Sequence, residues 1–172
     1  VGNVGQGVNA LAFSQSGVLY AASTSLSQLY TISLATGLGT AVFNLGGHVS
    51  AGDLAFDSTG TIFLSTKANP TQTPPVPSNL VRVNPTNGNV TLVGPIGFSD
   101  VLGMAFGPHG VMYGLSDSSE QVFSINLTTG AGTLRASFAG TDGVLGSSFL
   151  PETATLLYAH DRTDTVLQQF QL

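Results

Sequence analysis

Apolar and polar positions alternate along this chain in short bursts, and the bursts recur. LAF at Leu11–Phe13 returns as LAF at Leu54–Phe56, as MAF at Met104–Phe106 and as SSF at Ser147–Phe149. The closing phenylalanines stand at 13, 56, 106 and 149, in steps of 43, 50 and 43 residues. A turn glycine follows the first three, at Gly17, Gly60 and Gly110, and then an apolar pair: Leu19–Tyr20, Ile62–Phe63, Met112–Tyr113 and, in the fourth unit, Leu157–Tyr158. A second alternating run comes next: LYTIS at 29–33, LVRVN at 80–84, VFSIN at 122–126 and a weaker VLQQF at 166–170. A last run closes each of the first three units, at 40–45, 90–94 and 133–138.

Alternation with period 2 marks strands with one buried face, and no long stretch shows the i, i+3, i+4, i+7 spacing of a helix. Four short strands per unit, repeated at a fixed period, predict an all-β chain of β-propeller blades. The expected blades are 8–45, 53–94, 101–138 and 144–172, forming one domain over 1–172. Ser33, Asn84 and Asn126 each open a turn that ends on glycine, at Gly37, Gly88 and Gly130. A short polar side chain can bond the backbone two residues on, and glycine accepts φ > 0 without a Cβ clash.

The fourth unit offers only three strands, and the first residues suggest where the missing one comes from. VGNVGQG at 1–7 aligns with VGPIGFS at 93–99, the end of a last strand and its exit loop. The N-terminal segment, Val1 and Val4 above all, is therefore expected to complete the fourth blade and remove an open sheet edge. Three arrangements satisfy this: a closed four-bladed ring within one chain, strand exchange between chains, or a partial ring completed by a second copy. The step of 50 residues locates an insertion in unit two, KANPTQTPPVPS at 67–78. Its prolines (Pro70, Pro74, Pro75 and Pro77) forbid regular strand pairing. The segment from Lys67 onward reads either as a tolerated surface loop or as a contact arm.

Composition narrows the classes. Only 8% of the 172 residues are charged, against about 25% in an average domain. The net charge is −5 with four basic residues, which argues against nucleic-acid binding. No apolar run approaches the roughly 18 residues of a membrane span. There is no cysteine, hence no disulfide or thiol chemistry. Few charges and many Ser, Thr, Asn and Gly residues suggest an extracellular or cell-surface protein. The start at Val1, without an initiator Met, suggests a processed or excerpted chain.

Candidate chemistry is sparse. Asp53, Asp100 and Asp142 fall at or just before the innermost strands of blades two, three and four. Carboxylates converging on a central channel would suit Ca²⁺ or Mg²⁺; the bland alternative is that each caps a turn. Asp57 reads as a turn-opening residue. His48 and His160 fall on loops of one face and His109 on the opposite face, which disfavours a three-histidine metal site. His160, Asp161, Arg162 and Asp164 form one charge cluster, and Asp117 and Glu120 share a loop, without a nucleophile or an opposing group. Asn89 and Asn126 match the N-glycosylation pattern.

The succession LAF, G-x-L-Y, L-Y-x-I-S/N, T-G, T-x-V-G resembles the repeats of secreted bacterial β-propellers, in the broad NHL, YVTN and quinoprotein-like grouping. The resemblance spans essentially the whole chain and implies the fold. It fixes no activity, because the grouping contains binding proteins, scaffolds, lyases, lactonases and dehydrogenases, and it transfers no catalytic residue. With no catalytic constellation, a mean hydropathy of +0.30 and complementary ends, the expectation is a non-enzymatic structural or adhesive protein. It would associate with copies of itself into a filament or surface layer. A monomeric module for a glycan or protein ligand, and a hydrolase or lyase with a channel-mouth cation, are the alternatives.

Overall fold

The computed structural model describes residues 3–67 and 77–138, and beyond them the strands 144–149, 156–161 and 167–171. The first sheet holds β1 (Val8–Phe13), β2 (Leu19–Ser23), β3 (Gln28–Ile32) and β4 (Gly39–Asn44). The second holds β5 (Ser50–Phe56), β6 (Ile62–Thr66), β7 (Asn79–Val83) and β8 (Val90–Pro95). The third holds β9 (Val101–Phe106), β10 (Met112–Ser116), β11 (Gln121–Ile125) and β12 (Gly132–Ser137). The fourth holds β13 (Val144–Phe149), β14 (Leu156–Asp161) and β15 (Leu167–Gln171). Each sheet is an antiparallel meander in chain order, so the all-β propeller architecture read from the repeat is the one observed.

The repeat positions coincide in register. Ala12 pairs with Tyr20, Ala55 with Phe63, Ala105 with Tyr113 and Ser148 with Tyr158. The third strands start and end one residue earlier than the alternation suggested in the first three blades, because the polar residue that follows turns the chain instead of extending it. Asn84 and Asn126 each accept a backbone N–H two residues on, from Thr86 and Thr128 at 2.8 Å. Ser33 Oγ does the same three residues on, from Thr36 at 3.2 Å.

The core lies between the sheets. Ala10, Ala22, Leu29 and Leu45 of blade one pack against Leu54, Ile62, Leu64, Val81 and Val83 of blade two. Phe63, Leu80 and Ile96 of blade two meet Met104, Met112, Phe123 and Ile125 of blade three. An aromatic pair ties each of these interfaces: Tyr20 stands edge-on to Phe56 at 5.4 Å, and Phe63 to Phe106 at 5.8 Å. These clusters take up much of the apolar composition. The residues of these clusters cover blade against blade.

The innermost strands β1, β5, β9 and β13 pack in succession, each on the next. The approach is close. A Cβ on Gly52 would sit 2.6 Å from the Leu102 Cα, so β5 and β9 meet backbone to backbone. Among the described residues the packing that links these neighbours does not recur to the same extent between β13 and β1, and the fourth sheet has three strands. Of the segment expected to complete it, Val1 lies outside the described residues. Val4 lies on blade one, where its carbonyl accepts the Gly39 N–H at 3.2 Å. Residues 68–76 of the proline arm, including Pro70, Pro74 and Pro75, also lie outside the described residues. At its two ends, Lys67 is exposed and Pro77 half-buried.

Candidate functional site at the inner strands

Every inner strand departs from regular pairing near its entry. The ladder shifts at Asn9 in β1, over Ala51–Asp53 in β5, at Leu102 in β9 and over Leu145–Gly146 in β13. Such bulges re-aim side chains and gather beside active sites. Here they free polar groups from their own sheet to bond the next one. Asn9 Nδ2 donates to the Ala51 carbonyl of blade two at 3.0 Å. One Asp53 oxygen accepts the Met104 N–H of blade three at 2.7 Å, and the other accepts the Leu54 N–H at 2.8 Å. Ser65 Oγ donates to the Val101 carbonyl at 2.9 Å and accepts the Asp53 N–H at 3.3 Å.

Asp53 is the distinctive group. The residue is half-buried, and desolvation of its carboxyl raises the pKa from 3.8 to about 7, against the lowering effect of the N–H bonds from Met104 and Leu54. An ionised carboxylate offers about four lone-pair sites, so two remain beyond those N–H groups. On the same strand Ser50 is buried with no hydrogen-bond partner for its hydroxyl. A buried polar atom without a protein partner is the kind of group that water or a small polar ligand satisfies.

The structure separates the other candidates. Asp100 is exposed at the entry to β9, with φ at +47°, a strained value for a residue other than glycine. Its carbonyl accepts the Asp117 N–H at 3.0 Å. Glu120, also at positive φ (+51°), accepts the Phe138 N–H on its carbonyl at 2.9 Å. Asp100 thus joins Asp117 and Glu120, already read as sharing a loop, at the inter-blade-loop end of blade three. Asp142 lies outside the described residues, and among the described residues no three His, Cys, Asp or Glu side chains form a metal-binding group. Asp57 opens a turn as expected, accepting the N–H groups of Thr59 and Thr61. His48 sits between β4 and β5, His109 in a single 3-10 turn between β9 and β10, and His160 on β14. Arg162 and Asp164 fall outside the described residues.

Two surface recesses lie at the opposite, turn end of the blades. One, of about 270 Å³, is lined by Thr61, Arg82, Asn84, Asn89 and Thr91. The other, of about 290 Å³, opens over the Tyr20–Phe56 pair beside Gln15 and Thr86. Neither gathers groups that could act together as acid and base.

No protein-family model matches the chain, and no curated protein is recognisably similar in sequence. Solved structures do share the architecture. A gluconolactonase from Xanthomonas campestris superposes with a TM-score of 0.68 at 17% identity, over 95% of this chain and 58% of its own. Streptogramin B lyase gives 0.64 at 12%, over 96% and 54%. The PQQ-bound aldose sugar dehydrogenase from Streptomyces coelicolor gives 0.67 at 13%, over 97% and 60%. The chain thus spans little more than half the length of these proteins, and at such identities the likeness establishes the propeller fold. Their names nevertheless correct the expectation of a non-enzymatic structural or adhesive protein forming a filament or surface layer. The physical reason is that a propeller draws its inner-strand groups from blades distant in sequence. The absence of a contiguous catalytic motif therefore carried less weight than it was given.

Proposed function

We propose that this chain carries the inner-strand site of a catalytic propeller, in which Asp53 moves a proton on a small polar substrate. The observation that carries the reading is the Asp53 carboxyl itself. Burial holds its pKa at about 7 on a bulged inner strand, so both protonation states are populated near neutrality, as an acid–base group requires. The lactonase among the similar structures makes opening of a cyclic ester the reaction class to test first. In such a hydrolysis Asp53 takes a proton from water as the water oxygen bonds to the carbonyl carbon. The ring C–O bond breaks, and the proton passes from Asp53 to the departing oxygen. The unpartnered Ser50 hydroxyl supplies a further hydrogen-bonding group on the same strand.

The experiment is acid release from sugar lactones, followed at constant pH. The wild-type chain is expected to open a lactone with a rate that rises through about pH 7, and Asp53→Asn to lose about 10²-fold or more while its circular dichroism is kept. A chain that opens no lactone, or an Asp53→Asn variant as fast as the wild type, overturns the reading.

A further inference from the structure

Corresponding positions at the turn end of the blades carry similar residues, except in blade two, where three of them change together. The backbone N–H groups of Ser14, Asp57 and Gly107 close the first turn of each blade on the carbonyls of Val18, Thr61 and Val111. Those of Ser33, Asn84 and Asn126 close the last turn on the carbonyls of Leu38, Asn89 and Ala131. Between the second and third strands, Tyr20 faces Thr31, Phe63 faces Arg82, Tyr113 faces Ser124 and Tyr158 faces Gln169. Two positions that are apolar in blades one and three are thus Thr61 and Asn89 in blade two, and a position neutral in the other three blades is Arg82. The apolar counterparts Val18, Leu38 and Val111 are exposed, so solvation does not force the change.

The three altered residues are far apart in sequence and adjacent in space. With Asn84 and Thr91 they line the recess of about 270 Å³. Thr91 belongs to the repeat, because Thr40 and Thr133 hold the same register. Arg82 is exposed, and among the described residues it has no hydrogen-bond or carboxylate partner, whereas Arg135 of blade three donates from Nε to Ser124 Oγ at 3.0 Å. Asn84 Oδ1 accepts the Thr86 N–H at 2.8 Å, which leaves its NH2 group to donate. The Asp57 carboxylate, next to Thr61, is engaged by its own turn: it accepts the N–H groups of Thr59 and Thr61 and the Thr59 hydroxyl. A guanidinium takes a carboxylate through two parallel bonds, and the amides and hydroxyls around it both give and accept hydrogen bonds.

We infer that this recess is a binding site for a small sugar acid. Arg82 holds the carboxylate, and Asn84, Asn89, Thr61 and Thr91 meet the ring hydroxyls. A volume of about 270 Å³ stands at the lower end of ligand pockets and suits a single ring. The site lies at the turn end of blade two and is independent of the role of Asp53.

The test titrates glucuronate into the ¹⁵N-labelled chain and follows the backbone amide resonances. Saturable shifts are expected at Thr61, Arg82, Asn84, Asn89 and Thr91. Glucose, which lacks the carboxylate, and acetate, which lacks the hydroxyls, should each bind at least about threefold more weakly. Arg82→Gln should raise the dissociation constant for glucuronate by about 3- to 10-fold, the worth of an exposed charged hydrogen bond. Arg135→Gln in blade three should leave it unchanged. Asn89→Leu, which restores the residue of blade one, serves as the second variant should Arg82→Gln fail to fold, with a rise of the same order expected. The absence of saturable shifts overturns the inference. So does glucose or acetate binding as tightly as glucuronate, and so does an affinity that Arg82→Gln and Asn89→Leu both leave unaltered.

Discussion

The carboxylate of Asp53, on the inner strand of blade two, accepts the backbone N–H of Met104, on the inner strand of blade three, at 2.7 Å. The bond spans 51 residues of sequence and joins two sheets that Ser65 Oγ also links, through the Val101 carbonyl. Removing it in Asp53→Ala strands a buried donor, and the expected loss is about 1–3 kcal/mol, read as a lowered urea midpoint.

The same carboxyl makes stability depend on pH. Its pKa rises from 3.8 in the unfolded chain to about 7 in the folded one. Between those values the folded state binds a proton that the unfolded state has released, so this group's contribution is full below about pH 4 and is lost as pH climbs through about 7. The urea midpoint is therefore expected to be higher at pH 5 than at pH 8. In Asp53→Asn this part of the slope should vanish. A variant that keeps the full slope places its origin in another group.

Ser65 shares in this junction: its hydroxyl donates a hydrogen bond to the Val101 carbonyl and accepts one from the Asp53 N–H. Ser65→Ala leaves the carbonyl without that donor, and a loss of about 1–2 kcal/mol is expected. In a double-mutant cycle with Asp53→Ala the two losses should fall short of additive, because both side chains act on the same pair of strands.

Gly52 measures how tightly the inner strands approach. A methyl group there would meet the Leu102 Cα at 2.6 Å, and backbone cannot swing aside as a side chain can. Gly52→Ala is expected to cost about 1–3 kcal/mol, seen as a fall in the thermal midpoint. Gly17, whose added Cβ would meet nothing within 4 Å, suffers only from its positive φ of +79°.

Aromatic truncation should distinguish equivalent letters. Phe56→Ala breaks the edge-on pair with Tyr20 and is expected to cost about 2–4 kcal/mol of blade stability. Phe13→Ala, at an exposed position, should cost under about 1 kcal/mol. Comparing the two urea curves checks the difference.

Much of the fold was legible because a propeller repeats its local physics. The LAF recurrences mark the inner strands, and the apolar pairs with Tyr20, Phe63 and Tyr113 mark the second strands. Ser33, Asn84 and Asn126 mark the turns, and each side chain makes the turn-closing bond expected of it. The alignment of Val4 with Ile96 was also visible, and both carbonyls hold the corresponding glycine N–H. The site was less legible. Asp53 was picked out as a carboxylate near the channel, but its partner Met104 lies in another blade, and no local spacing reveals it. The strained backbone of Asp100 and its bond to Asp117 were equally invisible.

By itself the sequence determined the period, the strand alternation and the turn chemistry, because these depend on neighbours within a few residues. Tertiary structure alone decided what each repeated residue is worth. The letters LAF occur at 11–13 and at 54–56; Leu54 is sealed beneath blade one, whereas Leu11 is open. Asp53, one of seven aspartates, acquired a pKa near 7 only when β5 and β9 closed around it. Burial and desolvation are properties of what packs against a group, and that is set by the order of the blades in space.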